Sequence, residues 1–308
     1  MYHFIINPKS SSGRGIRFWW VVKDELEKQG IAYTFAFTER VGHAAELARQ
    51  ICTEYNGIKN IVILGGDGTV NEVINGIDQY DEVLLGYIPS GSSNDLARSL
   101  KISKDPLIAL SHILSPSRFQ YLDYGKMSFP GTEHPDRKFI CSSGIGYDAA
   151  VCYEVQQSPL KKSLNRFGAG KFVYFAIAIK QIFSTPLMTA TVIADGKEMG
   201  SFKKTLLISN MIHKYEGGGL LMAPSADPTD GKLSITLVHG LSRAKIFLLM
   251  PTIISGKHIK YRGVESFPCS DIEIRTDMDT AVHTDGEVPA IGSHIQVRCI
   301  SGQVRMIL

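Results

Sequence analysis

The stretch Asn60-Ile61-Val62-Ile63-Leu64-Gly65-Gly66-Asp67-Gly68-Thr69 decides the fold. Four apolar residues in a row after Asn60 are the pattern of a parallel strand covered on both faces, where no alternation is required. The glycines that follow make a sharp turn, and a helical pattern runs from Val70 to Ile77. In that setting Gly65, Gly66 and Gly68 let the backbone approach an anion, the N–H groups of the helix start face it, and Thr69 adds a hydroxyl. Outward from this unit the alternation continues. Tyr2 to Ile6 is a predicted strand, Asn7 to Gly15 a polar turn, Phe18 to Gln29 a helix, Tyr33 to Phe37 a strand and His43 to Tyr55 a helix. Downstream, Val83 to Ile88 is a predicted strand and Ser92 to Leu100 enters a helix. Alternating strands and helices predict an α/β domain with a parallel sheet and its ligand loops at the carboxyl ends of the strands.

Asp67 is unusual in such a turn. A carboxylate among amides arranged for phosphate repels the ligand unless it holds a metal or orients a reacting group, so it points to phosphoryl transfer rather than passive anion binding. The pentad fits neither the GxxxxGK[ST] loop nor the GxGxxG fingerprint. A second loop after the next strand, Pro89-Ser90-Gly91-Ser92-Ser93-Asn94-Asp95, repeats the logic, and Asp95 supplies a second acid facing the first, or simply a helix cap. Asn7 and Lys9, with Arg14, belong to the first turn and suit hydrogen bonding and phosphate neutralisation. Thr38 ends the second strand at the same sheet edge, and Asn71 and Glu72 follow the pentad. His43 is expected to serve the start of its helix rather than catalysis.

With 308 residues, 44% hydrophobic and 20% charged, the chain has room for two folded domains. A formal charge of +3, with no basic tail or zinc-ligand pattern, argues against nucleic acid as partner. Cys52, Cys141, Cys152, Cys269 and Cys299 are widely spaced without a CxxC pair, which suits a reducing cytoplasm. The first residues lack a signal-peptide pattern. Phe172 to Phe183 is interrupted by Lys180 and too short to span a bilayer, so no transmembrane segment is expected. Beyond Ser115 to Gln120 the pattern becomes strand-rich, with strands at Leu187 to Asp195, Thr205 to Asn210, Leu233 to Val238 and Asp271 to Arg275. Helices are expected at Lys171 to Phe183 and Arg243 to Ile253. Asp227-Pro228-Thr229-Asp230-Gly231-Lys232 sets two acids three apart, enough for one hard cation if the Lys232 carbonyl and waters complete the shell; a solvated acidic turn is the alternative. Thr284-Asp285-Gly286-Glu287 carries two carboxylates, although Asp-Gly is also a strong hairpin signal.

Together, Asn7-Pro8, Thr38 with Gly42-His43-Ala44, Gly65 to Val73 and Pro89 to Arg98 resemble the diacylglycerol kinase catalytic family, and most closely its soluble bacterial lipid kinases. Later signatures follow in order: Gly144-Ile145-Gly146-Tyr147-Asp148-Ala149, Gly217-Gly218-Gly219, Pro224 to Leu233, and Asp285-Gly286-Glu287. One departure is Ser92, where the pattern commonly has threonine; the hydroxyl is kept. The resemblance implies a nucleotide-binding α/β domain over residues 1–120, to which residues 300–308 return, and a β-sandwich-like domain over 121–299, with ATP between them.

It further implies an ATP-dependent kinase of diacylglycerol or a related lipid alcohol, with Mg2+ as cofactor and a magnesium ion at Asp227, Asp230 and Lys232. Nucleotide contacts fall on Asn7, Lys9, Thr38, Gly65, Gly66, Asp67, Gly68, Thr69, Asn71, Glu72, Gly91, Ser92 and Asn94. Catalytic roles fall on Glu287 as general base, on Asp285 positioning it or sharing the task, and on Asp67 and Asp95. The enzyme would be cytoplasmic, meeting its lipid at the membrane surface, and the sequence leaves room for a homodimer. For the acceptor, Gly144 to Asp148 and Phe167 to Phe183 would line an acyl entrance, with Lys161, Lys162, Arg166 and Lys171 near headgroups. Phe172, Phe175, Ile179 and Phe183, at helical spacing, fit ordinary core better. Two other functions remain open at this point: a kinase of a soluble substrate such as NAD, which shares the pentad, and an inactive lipid or nucleotide-binding regulator.

Overall fold

The computed structural model describes residues 1–158 and 170–308. The chain forms two compact units, Met1–Tyr124 with Ser301–Leu308, and Gly125–Ile300.

In the first unit, β1 (Tyr2–Ile6), β2 (Tyr33–Phe37), β3 (Lys59–Gly65) and β4 (Val83–Pro89) form a parallel sheet in the order β4-β3-β1-β2. Met306 of the returning chain end pairs in parallel with Leu85 on β4. Ile61 to Leu64 are fully or almost fully buried, as the unbroken apolar run predicts for a two-sided strand. Helix α1 (Ser10–Lys28) buries Trp19, Val22 and Leu26, spaced three and four apart, against Phe4, Ile6 and Leu64. Each such side chain contributes about 1.5–3 kcal/mol when removed from water. Helices α2 (His43–Glu54) and α3 (Asp67–Gly76) touch closely because Gly76 has no side chain; a Cβ there would lie 2.2 Å from the Ala45 carbonyl oxygen. Helices α4 (Asp95–Leu100) and α5 (Pro106–Leu114) complete the unit, α5 starting at an Asp105 whose carboxylate accepts the N–H groups of Leu107 and Ile108.

The first turn is shorter than the sequence predicts. Helical hydrogen bonding begins near Ser10, broken by left-handed backbone at Ser11, Ser12 and Gly13 before the regular helix resumes. Helix α3 likewise begins at Asp67, so the acid of the pentad is the first helical residue.

The second unit is largely antiparallel, with strand order β12-β11-β10-β7-β13-β14. These are β7 (Ser142–Gly146), β10 (Leu207–Met211), β11 (Leu233–Val238), β12 (Val264–Cys269), β13 (Asp271–Thr284) and β14 (Glu287–Ile307). On β13 also pairs β8 (Met188–Ala194), which carries β9 (Lys197–Thr205); β5 (Phe119–Ser128) pairs with β6 (Arg137–Phe139). Their inward residues make one core that includes Phe139, Ile145, Val192, Ile235, Ile274 and Ile295. Among the described residues, three helices accompany the sheet: α6 (Tyr147–Gln157), α7 (Gly170–Ser184) and α8 (Arg243–Ile253). No described helix is long and apolar enough to cross a membrane.

Two expectations about the acceptor region are corrected here. Gly144 to Gly146 lie inside the sheet between β10 and β13, and Ile145 is fully buried, so β7 cannot line an open entrance. On α7, the inward residues are Ile177, Ala178 and Ile182, while Phe175 and Phe183 are 60% and 56% exposed and Ile179 is half-buried. The helix is apolar on two faces, and spacing alone selected the outer one. Lys161, Lys162, Arg166 and Phe167, and the side chains of Lys171 and Phe172, lie outside the described residues.

Candidate active site

The glycine loops of the first unit are held by contacts that only glycine permits. The Gly65 carbonyl accepts N–H groups of Ser90 (2.7 Å) and Gly91 (3.1 Å), drawing the second loop over the first. There Gly66 and Gly91 cross: a Cβ on Gly91 would sit 2.5 Å from the Gly66 Cα, and a Cβ on Gly65 2.6 Å from Thr69. Gly68 differs, because a Cβ on it would meet nothing within 4 Å. The start of α3 is thus open to an incoming group. Asn7 Nδ2 donates to Thr69 Oγ1 at 3.1 Å, which leaves the threonine its own proton to give. Ser10 and Ser11 bond Ser90 and Ser92 through their hydroxyls at 2.6 and 3.0 Å, tying the first turn to the second loop. Beside this edge lies a hollow of about 300 Å3 lined by Asn7, Lys9, Thr38, Glu39, Arg40, Val41, Thr69 and Glu72.

Several of the predicted site residues are engaged within the protein, some of them buried. Asn71 is fully buried, with its amide oxygen and carbonyl receiving Asn75 Nδ2, because it falls on the core side of α3. Asn94 is 5% exposed, donates to the Gly91 carbonyl and receives the Tyr87 hydroxyl, so it shapes its loop. Asp67 accepts the N–H groups of Asp95 (3.0 Å) and Leu96 (3.3 Å), an acid tied to the adjacent loop's helix start. Asp95 is buried, its carboxylate 3.9 Å from Arg98. Glu72 borders the hollow and also accepts the Ala44 N–H at the head of α2. His43 Nδ1 receives the Glu39 N–H, the helix-start role expected of it.

In the second unit, Asp285 and Gly286 form the two-residue link between β13 and β14. Both have positive φ (47° and 83°), the mark of a type I′ hairpin turn. Asp285 accepts three backbone N–H groups, from Ile140, Cys141 and Ser142 at 2.8–2.9 Å, which engages both its oxygens. It anchors the turn and is poorly placed to take a proton, which separates it from Glu287. Arg137 Nη2 meets Glu287 Oε2 at 2.8 Å, with both side chains about one-third exposed.

Behind the turn is a group that the sequence did not single out as a unit. His283 Nε2 lies 3.2 Å from both Asp148 Oδ2 and Glu216 Oε1, and all three side chains are largely buried. Strand pairing sets His283 opposite Gly144, and a Cβ there would lie 2.0 Å from Asp148 Oδ2 and 2.8 Å from His283 Nε2. Ser142 Oγ donates to Glu216, whose backbone closes a loop of three left-handed glycines, Gly217, Gly218 and Gly219. That turn is the signal that could have marked Glu216. Burial favours a neutral imidazole, but Asp148, Glu216 and Asp285 outweigh it and raise the His283 pKa to about 9. Gly286 N–H approaches Nδ1 at 3.3 Å, a contact only the neutral ring accepts. Two carboxylates outweigh one long neutral contact, so at neutral pH the ring is an imidazolium held by its acids. The three ligand atoms lie within 4.8 Å of one another, a spacing that suits a metal, yet either form of this ring keeps a proton on Nε2.

Asp227 and Asp230 are exposed. Asp227 Oδ1 receives the Thr229 N–H and hydroxyl, and Asp230 Oδ1 the Lys232 N–H, so both carboxylates are fixed on one turn.

The fold and these loops define a kinase of the two-unit α/β plus β-sandwich type. Residues 1–127 match the model of the diacylglycerol kinase catalytic domain, and residues 141–308 that of the YegS C-terminal NAD kinase beta sandwich-like domain. The chain belongs to this diacylglycerol kinase catalytic family of lipid kinases. It is 31% identical to "Putative lipid kinase YtlR" of Bacillus subtilis, over 93% of each chain. It is 26% identical to a "Diacylglycerol kinase" of Mycobacterium tuberculosis, over 95% of this chain and 93% of that one. The fold is similar to the crystal structure of "a putative diacylglycerol kinase from Bacillus anthracis", with a TM-score of 0.78 at 20% identity, covering 99% and 94% of the two chains.

Proposed function

We propose that the protein transfers the γ-phosphate of ATP to the hydroxyl of diacylglycerol or a related lipid alcohol. The observation that carries this reading is the crossing of Gly66 and Gly91, which leaves Gly68 bare at the head of α3 beside the hollow of Asn7, Lys9, Thr38 and Thr69. Backbone N–H groups, one ammonium and two hydroxyls suit a polyphosphate there. Gly65, Gly66 and Gly91 give the loop its shape, and Ser92 carries a hydroxyl at its exposed rim. The names of the relatives favour a lipid acceptor.

In the reaction the acceptor oxygen attacks the γ-phosphorus, the bond to the β-phosphate oxygen breaks, and ADP departs. Glu287 takes the acceptor's proton, oriented by Arg137, while Asp285 holds the turn through its three N–H bonds. Asp67 and Asp95 fix the second loop beside the nucleotide. The Asp227-to-Lys232 turn fits a hard cation, having two fixed carboxylates and a backbone carbonyl. Mg2+, held there or by the nucleotide, would supply positive charge to the phosphoryl group. We place the enzyme in the cytoplasm, in transient contact with membrane.

The test is incubation with ATP labelled at the γ-phosphate, Mg2+ and lipid alcohols in mixed micelles. Label moving into an organic-extractable phosphate ester, and lost in Glu287→Gln with the fold intact, supports the reading. Label only in a water-soluble product selects a kinase of a soluble substrate such as NAD, and no transfer to either class leaves a binding regulator.

A further inference from the structure

Helices α7 and α8 pack side by side over Ile182, Leu206, Leu207, Leu241 and Ile246, and this inner seam accounts for their buried faces. It does not account for their outer ones. Phe175, Phe183, Phe247 and Leu248 are 60%, 56%, 42% and 72% exposed, and the Phe183 and Phe247 rings meet at 6.3 Å. The exposed side chains of the two helices therefore form one surface. Ile254, just past α8, is 67% exposed. A contiguous apolar surface shared by the outer faces of two neighbouring helices marks a place where something other than water is met.

The two stretches of sequence that carry these helices hold charges of one sign. The chain has no acid between Glu154 and Asp195, nor between Asp230 and Glu265, and these two stretches contain α7 and α8. The same stretches hold exposed Lys245, Lys257, Lys260 and Arg262, and Gly256 to Tyr261 form a short turn packed against α8. Glu154 is the acid nearest in sequence to α7, and Lys180 engages it at 2.6 Å. Aromatic and aliphatic side chains on stretches that carry lysines and arginine but no acid of their own complement a surface that is negative outside and apolar just beneath.

We infer that the outer face of α7 and α8 seats the protein on anionic phospholipid bilayers, with Phe175, Phe183, Phe247 and Leu248 entering the headgroup boundary. This rests on the lipid-kinase reading for its purpose but not for its measurement, since binding needs neither ATP nor an acceptor. Phe183 and Phe247 brace each other, so the test uses the two that stand apart, Phe175 and Leu248.

The full-length protein is sedimented with sucrose-loaded vesicles of phosphatidylcholine alone or with one-third phosphatidylglycerol, without nucleotide or diacylglycerol. The wild type is expected to bind the anionic vesicles at least tenfold more tightly than the neutral ones, and less tightly at high salt. The Phe175→Asn/Leu248→Asn variant is expected to lose at least tenfold in affinity while keeping its circular dichroism and its activity on a dispersed short-chain diacylglycerol. Lys257→Gln/Lys260→Gln should lose the preference for anionic vesicles without touching the apolar contacts. Equal binding by the wild type and the Phe175/Leu248 variant overturns the inference. So does a wild-type dimer that this variant dissociates, because a second copy would then be the occupant. If vesicles bind as expected and no lipid is phosphorylated, the kinase reading fails and the surface stands.

Discussion

The two units handle charge in opposite ways. Around the glycine loops of the first unit, the bonds that link one loop to another are made mostly by backbone groups, hydroxyls and an amide, and Asp67 is bound by N–H groups. Behind the Asp285-Gly286 turn of the second unit, one imidazole is clamped between two carboxylates away from water, and Glu287 is paired with Arg137. Close approach of backbones shapes the first; compensation of buried charge shapes the second. Backbone proximity tolerates changes of pH and is intolerant of added atoms. Buried charge has the reverse sensitivities, so substitution and titration should tell the two regions apart.

The largest effect is expected at Glu287. Glu287→Gln keeps the shape and a hydrogen bond to Arg137 but cannot take a proton, so kcat should fall by about 10²–10⁴, with KM for ATP nearly unchanged. Steady-state kinetics on mixed micelles checks it, and full activity would remove Glu287 as the base. Next is His283→Ala, which leaves Asp148 and Glu216 facing each other without their cation. Loss of one partner in a buried ionic group costs about 3–5 kcal/mol, measurable by urea unfolding at neutral pH. A cost below about 1 kcal/mol would mean that the triad is not charged as assigned.

Titration sharpens the same contrast. The folded pKa of His283, about 9, lies above the unfolded value near 6.5. The stability it contributes is therefore fully present below about pH 6.5 and is lost as the pH rises through 9. Hydrogen exchange followed by unit should show β7 and β13 losing protection across that window, with β1 and β3 changing less. His283→Gln should flatten the profile. A wild-type profile flat from pH 6 to 9.5 would show that the ring is neutral throughout.

The first unit was the more legible because its signals are contiguous. An apolar run, three glycines and a helix start stand within a dozen residues, and both the parallel strands and the loop edge follow from them. What the residues did not disclose was direction. Asn71 and Asn94 sit beside residues of the glycine loops yet turn inward, because helical phase and a left-handed backbone decide where an amide points. In the second unit the partners come from Arg137, Asp148, Glu216, His283 and Glu287, and strand pairing, a helix start and a glycine loop bring them together. Asp148 and the three glycines after Glu216 were visible as motifs, but their common centre, His283, resembled any polar residue in a strand. On α7 the helix was legible and its buried face was not, since both faces are apolar.

A smaller effect is expected from adding one carbon in the first unit. Gly91→Ala places a Cβ 2.5 Å from the Gly66 Cα and 2.7 Å from Asn94 Oδ1, so the loops must separate or Asn94 must leave the Gly91 carbonyl. Overpacking of this kind costs about 1–3 kcal/mol. The backbone of Gly91 is not left-handed, so the cost comes from contact alone, and a larger side chain at Gly68, where a Cβ meets nothing, should cost far less stability. The pair therefore separates two uses of glycine in one motif. Gly91→Ala should lower the unfolding midpoint and weaken ATP binding together. Gly68→Ala should leave the unfolding free energy within about 0.5 kcal/mol, apart from any small helix-propensity gain, yet raise KM for ATP by obstructing the approach to α3. Equal losses of stability in both would mean that Gly68 too is there for packing, and the open ground at the head of α3 would lose its claim to the phosphates.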